Sequence, residues 1–178
     1  LAAKVGVTTV IDHHASPKAT DGSLDRIEEA LTLVGMRGIL CYQVSDRDGP
    51  EARRAGLVEN ARYIRKCHKA RAENPAHLFD GLVGLHAAFT LEDETLAEAA
   101  DLARQVERGV HVHVLEDPID ERVCREKYGA GAVERLAQHG LLGPRSIAGH
   151  AIHLDEAGAD LLANSDTLVV HNPQSNMN

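Results

Sequence analysis

Short apolar, β-branched runs that end on histidine recur along this chain, and that repetition constrains the fold more than any other feature. His86 closes Gly81-Leu-Val-Gly-Leu, His150 closes Ser146-Ile-Ala-Gly, His171 closes Thr167-Leu-Val-Val, and Val110-His-Val-His113 carries two imidazoles within the run itself. Segments with helical spacing lie between the runs. Six strand–helix units imply a parallel sheet covered by helices, either a barrel or an open doubly wound sheet. With parallel strands, titratable residues at the C-terminal ends gather at one rim, where barrel enzymes keep their chemistry.

Val7 to Asp12 is the expected first strand, ending in Asp12-His13-His14. Ser23 is the expected N-cap of a helix with Leu24, Ile27, Ala30, Leu31 and Val34 on its apolar face and Gly35 as its stop. Ile39 to Val44 follows as a strand, and Pro50 opens a long helix running to Asn74. Thr90-Leu-Glu-Asp93 is a capping-box signature for a helix to Arg108. An acidic helix after Glu116, a Gly129-Ala-Gly131 break and a second helix lead to the strand at Ser146 to Gly149. Asp155 caps the next helix, and Thr167 to Val170 is the last strand. Neither G-x-G-x-x-G nor G-x-x-x-x-G-K-[ST] occurs, which favours a barrel over a nucleotide-binding open sheet. Six strands are two short of closure.

The run Gly109-Val-His-Val-His-Val-Leu-Glu-Asp117 combines two imidazoles with a carboxylate. On an extended strand His111 and His113 point to the same side, while Glu116 has the opposite parity and joins them only if the strand ends in between. Asp117-Pro118 supplies that ending. The pattern suits a metal site with its own general base; a lone His-x-His is also compatible with a cross-strand pair or a core histidine.

A chain of 178 residues can bury one good core, and its formal charge of −8 argues against a phosphate-backbone partner. Cys41, Cys67 and Cys124 are odd in number and form no Cys-x-x-Cys pair, so neither a disulfide framework nor a zinc ribbon is indicated and a reducing cytoplasm is expected. No apolar stretch approaches the roughly 20 residues that span a bilayer, and no signal peptide opens the chain. A small-molecule substrate is the expected partner rather than nucleic acid or membrane.

His113-x-x-Glu116, His150 in Gly-His-Ala-Ile-His-Leu, and His171-Asn-Pro-Gln-Ser-Asn176 together resemble the amidohydrolase superfamily, within it the cytosine deaminase and chlorohydrolase-type aminohydrolases. Ile11-Asp-His-His-Ala-Ser-Pro17, Cys41-Tyr-Gln-Val-Ser-Asp-Arg-Asp48 and Gly84-Leu-His-Ala-Ala-Phe-Thr90 are most similar to its selenium-associated branch. The resemblance implies an α/β fold, a (β/α)₈ TIM barrel of which residues 1–178 form a partial domain carrying roughly strands two to seven. It also implies one catalytic divalent metal ion, zinc or iron. By the same resemblance His113 is the metal ligand after strand five and Glu116 the proton shuttle. His150 contacts the activated water or substrate, with a ligand role as its alternative, and His86 orients the substrate. The His-x-His of strand one and the Asp of strand eight are not found, and His111-Val-His113 does not replace them.

Asn172 and Asn176 are candidates for substrate contact at the rim, or else cap the loop. Phe89 is the aromatic residue available to face a heterocycle. His13 and His14 are weaker candidates, His153 is expected to be structural, and His68, His77 and His139 are expected to be solvated. Three functions follow: an aminohydrolase that deaminates a small polar or heterocyclic compound, a carbon–halogen hydrolase, or an inactive truncated barrel serving as a binding or assembly module. The last would expose unpaired strand edges and self-associate, so a homo-oligomer is compatible with it.

Overall fold

Every strand pairing among the described residues is parallel, and strands alternate with helices along most of the chain. The computed structural model describes residues 1–177. Strand β1 (Thr9–His14) leads to α1 (Ser23–Leu33), β2 (Arg37–Tyr42) to α2 (Pro50–Glu73), and β3 (Phe79–Gly81) with β4 (Val83–Ala87) to α3 (Asp93–Gln105). Then β5 (Val110–Val114) is followed by α4 (Pro118–Tyr128) and α5 (Ala132–Gln138), β6 (Ile147–His150) by α6 (Glu156–Asn164), and β7 (Leu168–Val170) by one helical turn, α7 (Pro173–Asn176).

The expected strand ending near His86 is split at Leu82. Its first half, β3, pairs with β2, and its second half, β4, pairs with β5. The two sheets are nevertheless one arc. Leu82 N–H donates to the Leu40 carbonyl at 3.1 Å, Val44 N–H to Gly84 at 3.1 Å, and His86 N–H to Val44 at 2.9 Å, so β2 continues its ladder across the break. Interior packing confirms that the arc curls: Cys41 on β2 and Ile147 on β6 share one small apolar cluster with Leu82. In a flat sheet about three strand spacings, roughly 14 Å, would separate β2 from β6. The fold is a partial (β/α)₈ barrel with its main core between the strands and the helical layer.

Two caps differ from the expected ones. Gly22, in a left-handed conformation at φ 70°, is the N-cap of α1, and Ser23 is the first helical residue, its hydroxyl unpaired. The cap comes instead from α2, where the buried Glu59 carboxylate accepts from Gly22 N–H and Leu24 N–H, each at 3.1 Å. For α3, Thr90 turns back to the Ala87 carbonyl, and Asp46 accepts from Glu92 N–H at 2.8 Å and the Thr95 hydroxyl at 2.9 Å. In both cases a distant carboxylate outcompetes the local hydroxyl. The Gly35 stop and the Asp155 cap of α6 form as expected, Asp155 accepting from Gly158 N–H at 2.7 Å. No helix among the described residues is long and apolar enough to cross a membrane.

The join between the sheets tolerates no side chain at Gly84, where a Cβ would sit 2.3 Å from the Tyr42 carbonyl oxygen. Gly84→Ala is expected to lower stability by roughly 1–3 kcal/mol, read from the denaturant midpoint. An unchanged midpoint would show that β2 and β4 are not held at this spacing.

Candidate functional site

The curl of the arc brings the C-terminal ends of four strands together. The His13 ring, on β1, lies 4.6 Å from His111 and 4.5 Å from His113, both on β5. His86 on β4 stands 5.7 Å from His113, and His150 on β6 stands 5.3 Å from it. Parity explains the selection: the valines of β5 are buried against the helical layer, while His111 and His113 alternate with them toward the interior.

Hydrogen bonds fix the tautomers. Asn176 donates its amide to His171 Nδ1 at 2.7 Å, which leaves its Oδ1 to accept from His150 Nδ1–H at 2.8 Å. A neutral His150 then accepts at Nε2, 3.2 Å from His113 Nδ1. His113 therefore carries its proton on Nδ1 and has a lone pair at Nε2, the form in which imidazole binds a metal ion. The same logic holds at His86. The Thr90 hydroxyl donates to Ala87, accepts from His86 Nδ1–H at 2.8 Å, and leaves His86 Nε2 to accept from the Arg47 guanidinium at 3.2 Å.

The strand exits are strained where they carry these groups. Leu115, His150 and Ala151 adopt positive φ of 50°, 71° and 52°, which β-carbon sterics disfavour and surrounding bonds must enforce. Ala151 N–H donates to Val114 at 2.8 Å, and Ile152 and His153 N–H donate to Leu115, stapling the two exits together. The turn at Leu115 swings Glu116 to the side of the histidines. Its carboxylate accepts from the Ser175 hydroxyl at 2.8 Å and comes within 3.5 Å of His150 Nε2, a pairing that requires a second proton on His150.

These groups border an open cavity of about 630 Å³, lined among others by His86, Phe89, His113, Glu116, Asp120 and Asn176. Burial holds His86 and His111 at about 4, neighbouring charge from Arg47 adding to the effect at His86 and from His113 at His111. Burial likewise lowers His13 and His113. His13, His86, His111 and His113 are therefore neutral at pH 7. Asp120, buried under the cavity floor, is pushed up to about 6 by burial.

Of the residues singled out from the sequence, His113, Glu116, His150, His86, Phe89 and Asn176 share this one site. Asn172 does not line the cavity; its amide lies against Gly149. The capping alternative for the rim also fails in its simple form, because Asn172 heads α7 without a side-chain bond, while Ser175 and Asn176 bond to Glu116 and His150. His13 is central rather than peripheral, and only barrel curvature, invisible in a linear reading, puts it there. His14 turns away to Ser16, 2.9 Å off. His153 is exposed at the cavity mouth rather than structural, and His68, His77 and His139 are partly buried rather than solvated. The sequence pattern does not single out Arg47 or Asp120; the polar Ser-Asp-Arg-Asp stretch following a strand is the available signal for Arg47.

The Amidohydrolase family model matches residues 2–178. The chain is 32% identical over 154 residues to the 5'-deoxyadenosine deaminase of Methanothermobacter thermautotrophicus, covering 86% of this chain and 35% of that one. It is 30% identical over 172 residues to the 5-methylthioadenosine/S-adenosylhomocysteine deaminase of Desulfitobacterium hafniense, covering 97% and 37%. The chain thus spans little more than a third of the length of these relatives. Its fold is similar to the zinc-complexed atrazine chlorohydrolase of Arthrobacter aurescens, with a TM-score of 0.80, 19% identity and coverage of 97% and 40%.

Because His86 and His111 have folded-state values near 4 against an ordinary 6.5, the unfolded chain takes up protons before the folded one does. Their contribution is fully present above pH 6.5 and is lost as pH falls toward 4. Urea midpoints of the metal-free protein should drop across that window, with a shallower fall in His111→Gln. Equal slopes in both proteins would remove His111 from the linkage.

Proposed function

The chain belongs to the amidohydrolase family, and on that premise we propose that it carries part of a metal-dependent aminohydrolase site, hydrolysing a carbon–nitrogen bond of a small polar or heterocyclic compound. The observation that supports this reading best is the Asn176–His150–His113 chain of hydrogen bonds, which leaves His113, lining the same cavity as Glu116, with a lone pair on Nε2. The donor set suits a divalent ion held through His113 Nε2, with His150 Nε2 accepting the His113 Nδ1–H at 3.2 Å and orienting that ring; His150 would ligate only by giving up this bond. When bound, such an ion, zinc by preference and iron as the alternative, supplies an acidified water as nucleophile near neutral pH.

The remaining work belongs to the side chains. Glu116 accepts a proton from the attacking water and delivers it to the substrate's ring nitrogen, then takes the second proton from the added hydroxyl and delivers it to the departing amine as the carbon–nitrogen bond breaks. Ser175, donating to one Glu116 oxygen, aims the other at the histidines. His150 orients the water or the polarised substrate atom. His86 holds a substrate polar group, with Phe89 offering an apolar face and Asn176 a rim contact. Asn172, set behind Gly149, would act through the loop that carries Asn176. The narrower likeness to selenium-associated aminohydrolases rests on the motifs alone and names no substrate. The reduced, buried cysteines fit a reducing compartment such as the cytoplasm.

Glu116→Gln in the complete enzyme is expected to keep metal and lose turnover by roughly 10²–10⁴-fold, measured as ammonia release with metal content determined on the same sample. Unchanged turnover would remove Glu116 from the proton path, and halide release without ammonia would replace deamination by carbon–halogen hydrolysis.

A further inference from the structure

We propose that His13, Cys41 and His111 form a second metal site, inside the arc and one layer below His113, that takes a single thiophilic ion, Zn²⁺ or Cu⁺. This inference does not depend on the aminohydrolase reading, because none of the three residues serves in it.

One ligand atom from each residue lies within 4.8 Å of the others, and Cys41 Sγ is 3.8 Å from His111 Nδ1. An ion bonded at about 2.0 Å to nitrogen and 2.3 Å to sulfur needs donors roughly 3.3–3.7 Å apart, so small side-chain rotations close the set. The three come from β1, β2 and β5, so the backbone holds them in place and no mobile loop contributes. The wall around Cys41 is apolar, made by Leu82, Ile147 and Ile39. A thiolate with two neutral imidazoles selects soft cations, and with Cu⁺ the buried assembly carries no net charge.

A second observation points the same way. Both ring nitrogens of His13 are buried without a hydrogen-bond partner, although a neutral imidazole presents one donor and one acceptor and burying either unmet is costly. The ring is held in this position by packing against His111 and His113. An ion gives it a partner. Cys67 and Cys124 are also buried, on α2 and α4, yet neither joins such a cluster among the described residues.

Binding is a proton exchange. The Cys41 S–H bond, now directed to the Asp12 carbonyl at 3.4 Å, breaks; the sulfur–metal bond forms with the electron pair left on sulfur; and one proton leaves to solvent. His13 and His111, already neutral, bind through lone pairs and release none.

The test is titration of the metal-free chain with Co²⁺, reading the near-ultraviolet thiolate-to-cobalt charge-transfer band together with proton release. The band should saturate at one equivalent and release one proton. It should persist in Cys67→Ser, Glu116→Gln and His150→Asn, vanish in Cys41→Ser, and require at least tenfold more Co²⁺ in His111→Gln or His13→Gln. The histidine variants keep the thiol and decide the matter should Cys41→Ser fail to fold by circular dichroism. Bleaching by one equivalent of Zn²⁺ or Cu⁺ then identifies the preferred ion. No band in the wild-type chain, a band undiminished in folded Cys41→Ser, a band lost in Cys67→Ser, undiminished Co²⁺ affinity in both histidine variants, or resistance to bleaching by both ions would overturn the site. Loss of turnover in Glu116→Gln with this band intact would separate the two centres.

Discussion

The hydrogen bonds at Val44 hold the molecule's two sheets to one curvature. Donating to Gly84 and accepting from His86, this residue carries the β2 ladder past the break at Leu82 and onto β4. Without it the three-stranded and four-stranded sheets could diverge, and β1 would not face β5. The join also requires a bare backbone at Gly84, pressed against the Tyr42 carbonyl. Asn60 secures the same spot from α2, accepting from Tyr42 N–H and donating to its carbonyl, both at 2.8 Å. Histidines from distant parts of the sequence meet because that short stretch of ladder is intact.

The order of strands and helices was legible because each property involved is local. Apolar runs, the Gly35 stop, Pro50 and the Asp155 cap act within a few residues, and the structure follows them closely. Parity along β5 likewise placed His111 and His113 on one face, and Asp117-Pro118 ended the strand soon enough for Glu116 to turn back. What escaped the sequence is what distance decides. Glu59 and Asp46 cap helices far from them in sequence, displacing Ser23 and Thr90. His13 looked peripheral because its neighbours come from three strands away. Asp120 is titratable near neutrality only because α4 buries it, and nothing in Pro-Ile-Asp-Glu distinguishes it from a solvated first-turn acid.

Crowded imidazoles share one electrostatic problem, and burial resolves it by keeping His13, His86, His111 and His113 neutral. Each ring is desolvated by the others and by the strands, so a proton on one raises the cost of a proton on the next. Neutral rings must then divide donors and acceptors among themselves, and the chain from Asn176 through His150 to His113 does so without a mismatch. His86 has its own arrangement, with Thr90 at one nitrogen and Arg47 at the other. His13 is outside both, which sets it apart from every other ring in the cluster.

The meeting of β1 with β5 also bears on how the chain reaches its native state. His13 and His113 are separated by about a hundred residues of sequence, and their contact exists only after every intervening strand has added to the arc with the correct curvature. Local helices and adjacent pairings such as β1 with β2 close short loops and can form early, whereas this contact must overcome the entropy of the longest loop involved. Loop-closure entropy alone therefore favours late assembly of the histidine cluster. Until then its imidazoles and the Cys41 thiol lie open to water and to any metal ion present, so a metal encountered by the nascent chain could be trapped as the arc closes over it.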